Sequence, residues 1–312
     1  MDPPVLFDLS AIPTDPNFDN LSSTFFLRHK ELPSPQAVRA QILAQHNTSI
    51  SFEERKIFYP DGPYMEPPPA VFEDMGLFVK WGNLASIMEG QSLYAVRRFL
   101  QGAVPVPEIY GWRTDARQTY LYMERIRGGG TLEQVGMTWR RMTAFVFAAS
   151  VVRALVRDRA ISDMYWLDAG PFPSVKVFHD WFAFLFRRPF PNGHLIPIEP
   201  FRQDLCDNSG ILFTQGDLHR SNILVMTTDP PKVVAIVDWE QAGWLPEYWE
   251  VLKAHYTVDD EWSKKYLPPD YGLGHGYMRS LGLLRIIYGV LISEWRRRDP
   301  PSIIALSRKT FE

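Results

Sequence analysis

The sequence predicts an α+β fold made of two lobes, one rich in strands and one mostly helical. Residues 75–81 and 119–123 have the character of strands among proline-containing loops. Three consecutive glycines follow at 128–130, and the pattern then becomes largely helical in residues 131–160 and 246–310. A strand-rich first third, a glycine-rich connection and a helical remainder indicate two lobes with a ligand-binding cleft.

The lobe boundaries follow from the same pattern. We place the amino-terminal lobe at residues 1–123, the hinge at 124–130 and the helical lobe at 131–312. Within the first lobe, a short helix is expected at 36–46, and residues 86–100 have the 3.6-residue period of an amphipathic helix. The inward stripe of this second helix consists of Ile87, Leu93, Val96 and Leu100.

Composition excludes several classes of protein. With 46% hydrophobic residues the chain can bury a large core, and a formal net charge of −3 indicates neither a nucleic-acid partner nor an anionic membrane surface. The single cysteine, Cys206, cannot form an intramolecular disulfide. No signal peptide is evident, and the longest apolar runs are shorter than the ~20 residues that span a bilayer. We therefore expect a cytoplasmic protein.

The most informative segment is a predicted β-hairpin in residues 222–238. Two apolar runs flank a turn formed by residues 229–231 (DPP). Folding the hairpin about residue 230 brings Asn222 and Asp238 roughly opposite each other at its open end. A carboxamide oxygen and a carboxylate at one strand end form a hard-oxygen site that suits Mg²⁺.

Asp217 precedes Asn222 by five residues, so a tight loop can direct it toward the same space. This spacing matches the phosphoryl-transfer arrangement, in which one Asp orients and deprotonates the nucleophile while an Asn and a second Asp hold Mg²⁺. The simpler alternative is that Asp217 and Asp238 are turn or cap residues. The spacing, the apolar hairpin and the symmetric second Asp together favour phosphoryl transfer.

The sequence also resembles a known family. Residues 216–224 (GDLHRSNIL) and 236–240 (IVDWE) resemble the phosphotransferase enzyme family of aminoglycoside and choline kinase type, in the form of its large fungal branch. Residues 104–112 (VPVPEIYGW) and 122–126 (YMERI) also resemble that branch, and the resemblance covers roughly residues 75–255. It implies a protein-kinase-like two-lobed fold, ATP and Mg²⁺ as cofactors, and transfer to a hydroxyl group of a small molecule.

Two charged residues are candidates for the nucleotide side of the site. Lys80 ends an apolar strand and resembles the strand lysine that holds the ATP phosphates in kinases, although a surface lysine is the alternative. Glu89 lies in register with the inward stripe of the helix at 86–100, where a carboxylate needs a partner. We expect an ion pair between Lys80 and Glu89; the alternative is a capping box formed by Ser86 and Glu89.

The resemblance places the nucleobase at the hinge. It implies that the carbonyl group of Glu124 and the amide group of Ile126 contact adenine, with Met123 at the back of the pocket. The glycines at 128–130 serve this hinge or form only a flexible turn.

The sequence departs from the family pattern in three places. Gln215 stands where the family has a histidine, and residues 67–69 (PPP) stand where protein kinases have a glycine-rich loop. The motif after the hairpin is Asp-Trp-Glu, so Glu240 contacts metal, substrate or solvent. His219 follows Asp217 by two residues and either touches the γ-phosphate or braces the loop.

The acceptor is expected near Asp217. Acidic residues and tryptophans follow the hairpin, a combination that suits a cationic amino-alcohol or amino-sugar. The alternative is that the tryptophans are core and the acids are solvated. The residues concerned are Trp239, Glu240, Trp244, Glu247, Trp249, Glu250, Asp259, Asp260, Glu261 and Trp262.

Two other functions compete with this prediction. A catalytically inactive nucleotide-binding scaffold would explain Gln215 and the proline segment, but it would not require Lys80, Asp217, Asn222 and Asp238 together. A metallophosphoesterase would need more ligands than seven scattered histidines offer. Oligomeric state, acceptor identity and the choice between ATP and GTP stay open.

Overall fold

A computed structural model provides the structure of the chain, which is described for residues 7–49, 67–83, 85–135, 171–185, 192, 195, 202–203, 205–228 and 232–257. Its contacts divide the chain into two units. The first comprises Met1–Ser150 and Gln215–Ala242, and the second comprises residues 151–214 and 243–312. The predicted hairpin turn at 229–231 and most of the predicted helices at 131–160 and 246–310 lie outside the described residues.

The described part of the chain contains ten strands and four α-helices. The strands are β1 Phe18–Asp19, β2 Ala70–Phe72, β3 Leu77–Gly82, β4 Ile109–Asp115, β5 Gln118–Glu124, β6 Gly130–Thr131, β7 Ile211–Thr214, β8 Ile223–Met226, β9 Lys232–Ile236 and β10 Gly243–Pro246. The α-helices are α1 Pro35–Ser49, α2 Ile87–Leu100, α3 Val175–Phe184 and α4 Trp249–Thr257. The α+β fold class that the sequence predicts is confirmed.

The first unit contains a five-stranded antiparallel sheet in the order β1-β4-β5-β3-β2. Successive side chains of a strand point to opposite faces. Leu77, Val79 and Trp81 of β3 are therefore buried on one face, in a core that includes Val38 and Ile42 of α1. Burying each such side chain contributes about 1.5–3 kcal/mol relative to exposing it. The alternation directs the residues between them, including Lys80, to the other face.

Helix α2 confirms the helix predicted at 86–100. The side chain of its N-cap residue, Ser86, accepts a hydrogen bond from the Met88 amide at 3.3 Å. Of the predicted stripe, Leu93, Val96 and Leu100 are buried, and Glu89 is buried with them. The helix ends where Gln101 adopts a left-handed conformation, at a φ of 46°.

The predicted hairpin is present as the antiparallel pair of β8 and β9, joined by β6 into a three-stranded sheet. Ile223 pairs with Ile236, so Asn222 aligns with Val237 and not with Asp238. The predicted approach of Asn222 to Asp238 at the open end is therefore offset by one residue, and Val237 donates its amide hydrogen to the Asn222 carbonyl at 2.9 Å. At Gly129, next to β6, φ is 83° and an added Cβ would overlap the Val225 carbonyl oxygen.

The second unit packs its described helices through aromatic rings. The ring centroids of Phe178 and Phe182 in α3 lie 5.4 and 5.3 Å from that of Trp249 in α4, at an interplanar angle of 72° in both pairs. Strands β7 and β10 pair antiparallel in the same unit. Among the helices that the structure describes, none is both long enough and apolar enough to cross a membrane.

A fully buried histidine links α3 to the residues around it in the second unit. His179 Nδ1 lies 2.9 Å from Asp207 Oδ1, and the Tyr248 hydroxyl lies 2.7 Å from His179 Nε2. Arg202 Nη2 contacts both carboxylate oxygens of Asp207 at 2.9 and 3.1 Å. Burial lowers the pKa of His179 despite the nearby Asp207. Burial also acts to raise the pKa of Asp207, but hydrogen bonds from His179 and Arg202 outweigh it and lower that pKa.

Candidate active site

A cavity of about 540 Å³ lies within the first unit. This volume falls in the range of small-molecule sites. Its walls come from β2 and β3, from α2, from the end of β5 with the residues that follow it, and from the hairpin with its preceding loop. Of the predicted site residues, the lining includes Lys80, Glu89, Met123, Glu124, Ile126, Asn222 and Asp238. Asp217 and His219 are not part of that lining, although Asp217 hydrogen-bonds Asn222, which is.

Lys80 is the centre of the charged end of the cavity. Its Nζ lies 3.0 Å from Glu89 Oε2, so the predicted ion pair is present. The same Nζ lies 2.8 Å from Asp238 Oδ1 and 3.4 Å from Glu240 Oε2, two contacts that the sequence analysis missed. One ammonium group thus faces three carboxylates. The local excess of negative charge favours a site that accepts a further cation.

The three carboxylates meet the requirements of a hard divalent cation. Oxygens of Glu89, Asp238 and Glu240 all lie within 4.8 Å of one another. Asp238 adopts a left-handed conformation, with a φ of 60°, directly after the hairpin. Asn222, from the other end of the hairpin, lines the same cavity. Carboxylate and carboxamide oxygens are the donors that Mg²⁺ takes in proteins, so the residues present fit this ion.

The loop from Asp217 to Asn222 is closed by its own hydrogen bonds. Asn222 Nδ2 donates to the Asp217 carbonyl oxygen at 2.9 Å and to Asp217 Oδ2 at 3.2 Å. The Asn222 amide donates to the His219 carbonyl at 2.9 Å. These bonds tie the predicted proton acceptor, Asp217, to the predicted metal ligand, Asn222. The two residues that the sequence analysis pairs by spacing are therefore in direct contact.

His219 braces this loop through one ring nitrogen. Its Nδ1 accepts a hydrogen bond from the Ser221 amide at 3.3 Å and lies 2.9 Å from the Ser221 hydroxyl. An accepting Nδ1 places the ring hydrogen of neutral His219 on Nε2, an assignment made from the hydrogen-bond partners. His219 therefore braces the loop through Nδ1. Contact between its Nε2 and a phosphate stays a prediction.

Gln215 joins the loop to the end of the hairpin. Its Oε1 accepts the Asp217 amide at 2.7 Å, and its Nε2 donates to the carbonyl oxygens of Val237 at 3.1 Å and Asp238 at 2.6 Å. Only 5% of Gln215 is exposed. The glutamine therefore fixes the backbone of both carboxylate residues, Asp217 and Asp238. Gly216, which lies between Gln215 and Asp217, has a φ of 82°, and an added Cβ there would overlap the Gln241 carbonyl oxygen.

The end of β5 and the residues that follow it form another wall of the cavity. Met123 is 6% exposed and lines the cavity beside Glu124 and Ile126. The Glu124 amide donates to the Glu108 carbonyl at 2.8 Å, and Glu124 Oε2 accepts the Glu108 amide at 3.1 Å. The described structure thus anchors this segment to the residue that precedes β4. Contacts from the Glu124 carbonyl and the Ile126 amide to a nucleobase stay a prediction.

The residues predicted near the acceptor separate into two groups. Trp239, Trp244 and Trp249 are buried, so the core alternative is correct for these three rings. Glu247, in the second unit, is exposed and its Oε1 lies 3.4 Å from the Ser209 hydroxyl. Residues 259–262 lie outside the described part of the chain.

The described geometry agrees with phosphoryl transfer better than with a metallophosphoesterase. Protein kinases use a lysine on the third strand, a glutamate on the following helix, and an Asp–Asn loop that leads to a metal-binding Asp. Lys80, Glu89, Asp217, Asn222 and Asp238 occur in that order and on those elements. Among the residues that the structure describes, the group that could hold a metal contains no histidine.

Comparisons with known proteins add a partial sequence match. Residues 209–279 match the model of the Phosphotransferase enzyme family, which is less than a quarter of the chain but includes the loop and hairpin described above. No curated protein sequence matches the chain.

Three similar solved structures are aminoglycoside phosphotransferases. A type VIII aminoglycoside-3'-phosphotransferase has 15% identity, with 69% of this chain and 84% of that chain covered and a TM-score of 0.36. A thermostable mutant of aminoglycoside phosphotransferase APH(4)-Ia, in ternary complex with ADP and hygromycin B, has 13% identity, coverage of 70% and 81%, and a TM-score of 0.45. The apo form of such a mutant has 14% identity, coverage of 73% and 84%, and a TM-score of 0.42.

Proposed function

We propose that the protein is an ATP- and Mg²⁺-dependent phosphotransferase that acts on a hydroxyl group of a small molecule. The observation that carries this proposal is the meeting of Lys80, Glu89 and Asp238 in one cavity, at distances of 3.0 and 2.8 Å from the lysine ammonium. These three residues come from a strand, a helix and a hairpin, and the hairpin is far from the other two in sequence. Their convergence matches the nucleotide side of a phosphoryl-transfer site.

Each residue has a distinct role in the proposed reaction. Lys80, held by Glu89, would bind phosphate oxygens of ATP, and Asn222 with Asp238 would hold Mg²⁺. Bound Mg²⁺ neutralises charge on the transferring phosphoryl group. Asp217 would accept the proton of the attacking hydroxyl, since its carboxylate is kept in place by Asn222 Nδ2 at 3.2 Å. Most of the acceleration would come from positioning and charge neutralisation.

The proposed acceptor is an amino-alcohol or an amino-sugar. Exposed Glu247 and half-buried Glu250 in the second unit are the acidic residues that support this class among the described residues. A carboxylate pairs with a cationic amine through a charge-assisted hydrogen bond. The buried tryptophans do not contribute to this proposal, because their rings are packed in the core.

A transfer assay tests the function directly. ADP release is measured with MgATP and a panel of hydroxylated amines, including choline, ethanolamine and hygromycin B, for wild-type protein and for Asp217→Asn. We expect Asp217→Asn to lower kcat by about 10²-fold or more while nucleotide binding is retained. Asp74→Asn makes the same chemical change at an exposed residue of a turn and should leave kcat unaltered.

Two outcomes would contradict the proposal. Wild-type turnover in Asp217→Asn would remove Asp217 from the chemistry. Nucleotide binding without transfer to any acceptor would instead favour the inactive scaffold.

A further inference from the structure

We propose that Gln41 and Gln45 of α1 are positioning residues for nucleotide binding. They hold the backbone of Pro69 and Val71, whose side chains line the cavity. The inference rests on the proposed function, because it assigns the cavity to a nucleotide. Neither glutamine lines the cavity, so both act through the wall that they support.

Strand β2 needs this support because it is the edge strand of the sheet and is three residues long. On one side it pairs with β3, in the register Ala70 with Val79 and Phe72 with Leu77. On the other side its backbone groups have no neighbouring strand in the described sheet. The N–H and C=O groups at such an edge bond to water or to side chains.

The two glutamines occupy that edge. Gln45 Oε1 accepts the Val71 amide at 2.8 Å, and Gln41 Nε2 donates to the Val71 carbonyl at 2.7 Å. Gln45 Nε2 also donates to the Pro69 carbonyl at 3.3 Å. The side chains therefore take the place of a neighbouring strand, supplying one acceptor and two donors to backbone groups of Pro69 and Val71.

Helix α1 presents the glutamines from a fixed position. Residues four apart lie on the same side of a helix, which brings Gln41 and Gln45 together at the sheet edge. Val38 and Ile42 of the same helix are 0% and 2% exposed in the core under the sheet. Because this burial fixes α1 against the sheet, the two glutamines hold β2 in position.

The part of the cavity wall that Gln41 and Gln45 support consists of prolines and a valine. Pro67, Pro69 and Val71 line the cavity, and the Trp81 indole N–H donates to the Pro68 carbonyl at 3.1 Å. Proline has no backbone N–H, so these residues offer apolar contact and not hydrogen bonds to phosphate. A displaced wall would therefore weaken contact with the nucleotide while leaving Lys80 and Asp238 in place.

The test is a titration of wild-type protein and variants with MgADP by calorimetry. The double variant Gln41→Met/Gln45→Met keeps side-chain length and helix propensity but removes all three hydrogen bonds. We expect its Kd for MgADP to rise by about fivefold or more. Gln36→Met changes an exposed glutamine of the same helix and should leave Kd unchanged.

A conservative variant separates positioning from general stability. Gln45→Glu keeps the oxygen that accepts the Val71 amide at 2.8 Å and loses only the longer bond to the Pro69 carbonyl, at 3.3 Å. Gln41→Glu replaces the donor of the 2.7 Å bond with an oxygen that repels the Val71 carbonyl. Positioning predicts a smaller rise in Kd for Gln45→Glu than for Gln41→Glu, and this order holds even if the double variant does not fold.

Equal Kd values in wild type and in the Gln41→Glu variant would overturn the inference alone. Failure of wild-type protein to bind MgADP would overturn the proposed nucleotide site itself, and this inference with it.

Discussion

Gln215→Leu is the substitution that tests how the two carboxylate residues of the site are held. Gln215 is 5% exposed and makes hydrogen bonds of 2.7, 3.1 and 2.6 Å to the backbone of Asp217, Val237 and Asp238. Leucine fills a similar volume but can neither accept the Asp217 amide nor donate to the two carbonyl groups. The substitution therefore removes the link between the loop and the hairpin and leaves three backbone groups short of a partner.

The expected cost follows from the number of bonds lost. Each intramolecular hydrogen bond contributes about 1 kcal/mol net, so the three together give a loss of about 3 kcal/mol in the free energy of unfolding. For a chain of 312 residues that corresponds to a fall in the thermal midpoint of roughly 5 °C. Because Asp217 would no longer be fixed, kcat for transfer should fall by about 10- to 100-fold.

The assay combines thermal unfolding with transfer kinetics for wild type, Gln215→Leu and Gln36→Leu. Gln36→Leu makes the same chemical change at an exposed position and should match wild type in both measurements. A Gln215→Leu protein with an unchanged midpoint and kcat within twofold of wild type would refute the reasoning.

Three further predictions concern separate parts of the molecule. Glu89→Gln should raise the KM for ATP in transfer kinetics more than it lowers kcat, because Lys80 loses its most buried partner but keeps Asp238; an unaltered KM would contradict this. His179 has a lowered pKa, so the folded state binds fewer protons than the unfolded state and the protein should lose thermal stability as pH falls through about 6.5; His179→Gln should flatten that fall between pH 7.5 and 5.5, and an equally steep fall would contradict it. Gly129→Ala should destabilise the protein to urea by more than about 1 kcal/mol, because φ is positive and the added Cβ would overlap the backbone of β8; an unchanged urea midpoint would contradict it.

Local patterns in the sequence were sufficient to predict the secondary structure around the site. The helical period placed Glu89 on the buried side of α2, and strand alternation is enough to turn Lys80 away from the core of Val79 and Trp81. Periodicity of this kind is set by neighbouring residues, so it can be read without knowing the tertiary structure. The ion pair between Lys80 and Glu89 followed from these two placements.

Contacts between distant segments could not be predicted in the same way. Lys80 reaches Asp238 and Glu240 across 158 and 160 residues, and no local pattern defines that approach. The hairpin register was offset by one residue because Val225 pairs with Val233, so the strands fold about residue 229 near the turn and not about residue 230, and the irregularity after Leu224 removes only part of that difference. An irregularity of this kind is set by how the two strands pack, so the apolar pattern does not reveal it.

Gln215 shows a different limit. The sequence indicated only that a glutamine stands where a histidine is usual and that it can hydrogen-bond. The structure shows that its amide oxygen accepts the Asp217 amide while its amide nitrogen donates to the Asp238 carbonyl. A side chain with both a donor and an acceptor can make this bridge without a change in charge.

The most direct test of the account is the thermal midpoint of wild-type protein and of Asp238→Asn, with and without millimolar MgATP. Asparagine tolerates the left-handed φ of 60° at this position, so the substitution removes the charge without straining the backbone. A nucleotide at ~100 times its Kd adds about 2.7 kcal/mol to the stability of the folded state. The account predicts a magnesium-dependent rise of several degrees in wild type that Asp238→Asn largely loses. No rise in wild type at any nucleotide concentration would contradict it.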